Sequence, residues 1–165
     1  MDKKARQYFG LLLAILSYYL IHEGAHLLYA LSIGVFKQIN FIGLGVQIDV
    51  FAEQMTNQQL GIFCVLGSVS TIAAACILVM LTDRITKVPS RVFKACMYYI
   101  TAGMLLLDPL YLSVLCGVFG GGDMNGISLL VPAFTARIGY GILFAVNLLI
   151  FLKIVLPKYT KAFVQ

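Results

Sequence analysis

The sequence predicts an all-α polytopic membrane protein with about four transmembrane helices, a short β-hairpin-like segment after the first helix and a re-entrant, glycine-rich segment before the last. Two observations support this fold class. Hydrophobic residues make up 61% of the 165 residues and charged residues only 12%, which is too apolar for an ordinary soluble domain. The apolar residues are also concentrated in four stretches that approach the roughly twenty residues a bilayer requires. We therefore expect residues 1–165 to form a single integral membrane domain.

The four predicted spans are residues 8–33, 60–82, 95–119 and 137–156. The first span follows a basic N-terminus, but it is longer than the apolar core of a signal peptide, so we expect it to be retained as a helix. The cysteines lie within apolar stretches and form no C-x-x-C pair, which favours packing over metal binding or disulfide formation. They are Cys64, Cys76, Cys96 and Cys116.

The basic residues indicate how the spans are oriented. The formal net charge is +5, yet the basic residues stand at the ends of spans, which indicates membrane orientation and not a nucleic-acid partner. Ten of the twelve lie on one side of a four-span arrangement. The positive-inside rule then places both termini in the cytoplasm, and we expect an integral multi-pass protein of the cell membrane. The ten are Lys3, Lys4, Arg6, Arg84, Lys87, Arg91, Lys94, Lys153, Lys158 and Lys161.

The connection after the first span has the pattern of a strand. Residues 38–50 are apolar and β-branched, and Val46, Ile48 and Val50 alternate with polar residues. This alternation predicts a short strand or hairpin. The segment either dips into the membrane beside the first span or forms a turn at the interface, where its glycines only permit the bend.

The connection before the last span contains the run Gly-Gly-Gly-Asp-Met-Asn-Gly over residues 120–126. We expect this run to break regular structure. Residues 127–131 become apolar again, so the pattern predicts a re-entrant segment that ends near Pro132. Irregular backbone at membrane depth is tolerated only where protein or a water-filled cavity surrounds it.

An H-E-x-x-H motif lies inside the first span, formed by His22, Glu23 and His26. Glu23 is the only formally charged residue of that span, and a charge at the centre of a membrane helix costs roughly 2.5–3.5 kcal/mol on insertion scales. Two histidines four residues apart lie on one helix face, within reach of one ion. On a helix this spacing is the zinc metalloprotease arrangement, with the glutamate as general base.

A hydrolytic zinc site takes three protein ligands and leaves a fourth position for water. Two aspartates are candidates for the third ligand. Asp108 lies at the depth of the histidines, about ten residues from the outer end of its span. Asp123 follows three glycines, which would let the backbone approach the metal closely. The residues alone leave both open.

Four segments resemble the site-2 protease family of intramembrane zinc metalloproteases. Residues 21–34 resemble its H-E-x-x-H helix, and the β-rich segment that follows is similar too. Residues 66–71 (Leu-Gly-Ser-Val-Ser-Thr) are similar to the small-residue turn that opens its next core helix, with Ser68 in place of the usual proline. Residues 121–127 resemble its aspartate-glycine motif, with Asp123 in the place of the aspartate and Met124 in that of the glycine.

The resemblance implies that His22, His26 and Asp123 bind Zn²⁺. Glu23 would activate the bound water and pass its proton to the leaving amine. The substrate would be a membrane-embedded or membrane-associated protein or peptide.

Because a helical peptide bond is shielded by its own hydrogen bonds, we expect the strand edge at Val46 and Ile48 to hold the substrate extended. Asn125 either orients the substrate backbone or is an ordinary turn residue. We expect selection of the substrate by the spans, the loops or a regulatory partner protein.

Two other functions fit the same cluster. A transmembrane transporter of metal ions or protons also uses intramembrane histidines and acids. It needs a path open to both sides, whereas these polar groups gather at one depth near one face. A family member that binds partners without cleaving them would have no need of Glu23 as a base.

Overall fold

The computed structural model describes residues 2–42, 45–120 and 122–164, and it is mostly helical. The helices are α1 (Lys3–Ser32), α2 (Asn57–Thr86), α3 (Arg91–Leu110), α4 (Cys116–Phe119), α5 (Gly122–Ile127), α6 (Ala133–Ile150) and α7 (Leu156–Val164). A π-helical turn, Tyr111–Leu115, joins α3 to α4, and a second one, Phe151–Val155, joins α6 to α7. The first turn follows Pro109, which cannot donate a helical hydrogen bond and so disturbs the regular pattern.

Four helical segments are long and apolar enough to cross a membrane, as the sequence predicted. They are Lys3–Ser32, Asn57–Thr86, Arg91–Val118 and Ala133–Val164. The first three begin several residues before the predicted spans, because polar residues cap them outside the apolar stretch. The Asp2 carboxylate accepts from the Ala5 N–H, Thr56 forms a capping box with Gln59, and the Ser90 hydroxyl accepts from the Phe93 N–H. This architecture is compatible with a multi-pass membrane protein.

The predicted hairpin is present as an antiparallel pair of strands, β1 (Phe36–Ile42) and β2 (Gly45–Val50). Gly34, at φ +75°, ends α1 and turns the chain into β1, because glycine adopts this conformation without a steric cost. Ile48 pairs with Ile39 and is buried. Near the hairpin's exposed surface, the Lys37 ammonium lies 3.1 Å from the Asp49 carboxylate and lowers the pKa of that carboxyl.

Two hydrophobic clusters fill the interior, and polar residues separate them. Asp108, on α3, lies along the chain between Leu105 of one cluster and Leu112 of the other. Thr71, on α2, likewise lies along the chain between residues of the two clusters. Of the four cysteines, all free, only Cys76 is exposed. The first cluster comprises Ala30, Val35, Ile48, Phe63, Cys64, Leu112, Cys116, Met124 and Ile127. The second comprises Ala75, Ile85, Met104, Leu105, Val155 and Tyr159.

The glycine-rich connection departs from the prediction. Residues 122–127 form the short helix α5, so most of the run expected to break regular structure is helical; Gly121 lies outside the described residues. The break is confined to its start, where Gly120 has φ +101° and Gly122 φ +41°. Gly126 then lets α5 pack closely on α2, since a Cβ there would lie 2.9 Å from Cys64 Cβ and 3.1 Å from the Leu60 carbonyl oxygen. This packing places α5 against the interior.

Candidate metal centre

The two histidines of the motif lie on the inner face of α1. His22 is 7% exposed and His26 3%, and their ring centroids are 4.9 Å apart. Each ring has its Nε2 atom on the side that faces α5. The helical spacing that suggested one shared face is therefore realised in the structure.

Asp123 reaches the same place from α5. Its Oδ2 atom lies 3.1 Å from His22 Nε2 and 3.5 Å from His26 Nε2. The three ligand atoms all lie within 4.8 Å of one another, so His22, His26 and Asp123 form a group that could hold a metal ion. The Asp123 side chain is 21% exposed, whereas those of the histidines are 8% and 3% exposed. The centre is thus most open beside Asp123.

Gly67 of α2 closes the other side of the centre. A Cβ at this position would lie 2.5 Å from His22 Nε2 and 2.6 Å from His26 Nε2. Only a residue without a side chain fits so close to both nitrogens. Residues 66–71, which resemble a turn that opens a helix, lie well inside α2, within the predicted span 60–82. Its small residues instead allow close approach between α2 and the histidines.

The other ring nitrogen of each histidine is held by a hydrogen-bond acceptor. His26 Nδ1 lies 2.8 Å from the Phe63 carbonyl oxygen, and His22 Nδ1 lies 3.2 Å from Asp108 Oδ2. A carbonyl or an ionised carboxylate only accepts, so each Nδ1 carries the proton and donates. If each imidazole is neutral, its Nε2 atom keeps a free lone pair on the side of Asp123. Such partners fix the ring orientation and tautomer of histidines that bind metals.

Asp108 lies behind His22, away from the facing Nε2 atoms. It is 1% exposed, and its carboxylate also accepts hydrogen bonds from the Tyr18 and Thr71 hydroxyls. The Tyr18 ring stacks on the His22 ring, with centroids 5.2 Å apart. The structure therefore brings Asp123, and not Asp108, to the face shared by the two histidines.

Sequence reasoning did not find Tyr18, Thr71 or Gly67. For Tyr18 a signal was available, because it precedes His22 by four residues and residues four apart share a helix face. The hydroxyl of Tyr18 was therefore a candidate partner for a carboxylate beside His22. Gly67 and Thr71 lie in the segment 66–71, but its sequence does not show that it packs against the histidines.

Glu23 is half-buried and points towards the hairpin. Its Oε2 atom accepts a hydrogen bond from the Ile48 N–H at 3.1 Å. In an antiparallel pair, alternate residues direct their backbone groups to the same side of the strand. The N–H of Val46 therefore points, like that of Ile48, to the edge of β2 that is not paired with β1.

The remaining predicted residues surround the centre without entering it. The Ile48 side chain is 5% exposed and packs in the first cluster, so this residue offers only its backbone to the edge. Asn125 is exposed on α5, two residues after Asp123. Gly24 has open space beside it, since a Cβ there would meet nothing within 4 Å. Close helix packing is thus not the reason for a glycine at this position.

Comparison with known protein families gave no match, and neither did comparison with curated proteins or with solved structures. The function must therefore be argued from the geometry of the centre.

Proposed function

We propose that the chain is an intramembrane zinc endopeptidase of the site-2 protease type. It hydrolyses a peptide bond in a membrane-embedded or membrane-associated protein or peptide. The observation that carries the proposal is the group of His22, His26 and Asp123, with Glu23 adjacent in the chain. An ion-binding site alone would not need a second carboxylate of this kind beside it.

The donor set suits zinc. Two imidazole nitrogens and one carboxylate oxygen are a usual set for catalytic zinc, and three protein ligands leave a position for water. Bound there, the ion would polarise the scissile carbonyl and make water acidic enough to attack near neutral pH. Asp108 and Phe63 hold the two histidines in the required tautomer through their Nδ1–H groups.

Glu23 is the general base in this proposal. Its carboxylate accepts the proton of the attacking water and returns it to the leaving amine, so no net charge accumulates over the cycle. The Ile48 N–H fixes one carboxylate oxygen by hydrogen bonding to Oε2. The other oxygen remains available for the proton.

The open edge of β2 is the proposed binding site for the substrate backbone. An extended peptide that pairs with a strand edge satisfies the backbone groups that it loses from its own helix. The Ile48 N–H already donates to Glu23, so the substrate either pairs at Val46 or takes the Ile48 donor from the base. Substrate binding and the position of the base are therefore linked.

Packing beyond the centre favours this function over the transporter alternative. An ion path to the end of the bundle that holds both termini would have to pass the second cluster. There Ala75, Met104 and Leu105 are 0–2% exposed. Of the three residues that could hold the ion, Asp123 has the most exposed side chain, at 21%.

The test is a cleavage assay on the purified protein in lipid nanodiscs with a pool of single-span peptides, read by mass spectrometry. Glu23→Gln is expected to keep one zinc per chain and to lose cleavage by at least about a hundredfold, the lower range for a general base. Glu53→Gln, which changes an exposed carboxylate in the Ala52–Gln54 turn, is the matched control. Cleavage by the Glu23 variant at the wild-type rate would refute the proposal. Zinc flux through proteoliposomes without any cleavage would support the transporter.

A further inference from the structure

A cavity lies at the end of the bundle that holds both chain termini, far along α1 from the metal centre. Its volume is about 540 Å³. Residues of α1, α3 and α7 line it, and no acidic side chain is among the described lining residues. These are Lys3, Arg6, Gln7, Ala95, Tyr98, Tyr99, Leu156, Tyr159, Thr160, Phe163 and Val164.

One wall of this cavity is basic. Lys3 and Arg6 lie one turn apart on α1, and neither forms an ion pair within the described part of the chain. The Arg6 guanidinium lies 5.7 Å from the centre of the Phe163 ring, which holds the side chain in place and leaves its N–H donors free. A guanidinium presents a planar fork of donors that matches phosphate geometry.

The opposite wall is apolar and continues to the outer surface of the bundle. Leu156 and Val164 belong to this cavity and also to a neighbouring hollow of about 670 Å³ on the outer side of α7. Val164 is 83% exposed. An occupant that filled both spaces would need an anionic head and an apolar tail.

We propose that this cavity binds an anionic phospholipid. Lys3 and Arg6 hold the phosphate, the tyrosines of α3 border the headgroup, and one acyl chain follows Leu156 and Val164 along α7. The charge around the cavity supports this occupant, because ten of the chain's twelve basic residues lie towards this end and only Asp2 and Asp83 oppose them. Asp83 is already paired with Lys158, at 2.7 Å. Basic pockets between membrane helices are established sites for such headgroups.

The experiment measures lipid binding to the delipidated full chain in neutral detergent by native mass spectrometry. The probes are phosphatidylglycerol, phosphatidylcholine and inorganic phosphate, each added alone. Lys3→Gln/Arg6→Gln is the test variant. Lys4→Gln/Arg84→Gln is the matched control, because it removes one lysine and one arginine from exposed positions at the same end that do not line the cavity.

The wild type and the control are expected to bind one phosphatidylglycerol at least about tenfold more tightly than phosphatidylcholine. The test variant is expected to lose roughly thirtyfold in affinity, at about 1 kcal/mol for each basic residue near the headgroup. Three outcomes overturn the proposal: equal binding of the two lipids, an equal loss in the control, or inorganic phosphate bound as tightly as the lipid. The last would indicate a site for a free anion.

Discussion

Gly67→Ala is the most direct perturbation of the metal centre, because it adds one methyl group at the point where α2 meets both histidines. The new Cβ would lie 2.5 Å from His22 Nε2. Ordinary contact begins at 3.4 Å, so α2 or the ring must move by about 0.9 Å. The contact to His26 Nε2, at 2.6 Å, prevents relief by moving only one ring. The two Nε2 atoms would therefore be displaced from Asp123.

Displacements of about 1 Å at a reacting centre cost on the order of a hundredfold in activity. We expect Gly67→Ala to lower peptide cleavage by about that factor and to weaken zinc binding as well. Zinc affinity is measured by competition with a chromophoric chelator, and the thermal unfolding of each variant is recorded in parallel.

Gly24→Ala is the matched control for zinc binding. It makes the same substitution on α1 beside the histidines, where the added methyl group meets nothing within 4 Å. We expect it to keep wild-type zinc affinity and, since alanine favours helix over glycine, to unfold at an equal or higher temperature. Wild-type zinc affinity in Gly67→Ala would refute the argument, because the Nε2 atoms could not then be the ligand atoms.

Two further substitution pairs test the other parts of the centre. Asp108→Asn should weaken zinc binding about 10- to 100-fold, as expected for a group that orients a ligand, while Asp123→Asn should weaken it more. The opposite order in the chelator titration would make Asp108 the third ligand. Val46→Pro removes an edge donor that is not bonded to Glu23, so it should impair cleavage and leave zinc content unchanged. Ile48→Pro removes the donor to Glu23 and should impair cleavage further; unimpaired cleavage in Val46→Pro would remove the substrate-edge hypothesis.

Much of the fold follows from local sequence patterns. Sustained apolarity predicts the four long helices, and alternation at Val46, Ile48 and Val50 predicts the hairpin, because both signals depend on near neighbours in the chain. The boundaries of the helices were predicted less well. Capping residues such as Thr56 and Ser90 extend helices into polar sequence that an apolar window does not include.

The helix at 122–127 could not be predicted in this way. Glycine has low helix propensity, so a run with glycines at 120, 121, 122 and 126 predicts irregular backbone. In the structure, packing against α2 outweighs that propensity, because Gly126 permits a close approach that a larger residue would prevent. Tertiary contact thus decides the local conformation, and propensity over so few residues does not.

The sequence also could not decide which aspartate joins His22 and His26. The depth in the membrane expected from the sequence favours Asp108 as the third ligand, since Asp108 lies as far from the outer end of its span as His22 does. Depth, however, does not determine which side of His22 a carboxylate approaches. Asp108 approaches the Nδ1 side together with Tyr18 and Thr71, whereas Asp123 comes from a different segment and meets Nε2. The His22 imidazole thus contacts both carboxylates, one at each ring nitrogen. In the proposed zinc site, Asp123 at Nε2 would be the ligand, and Asp108 at Nδ1 would orient the ring.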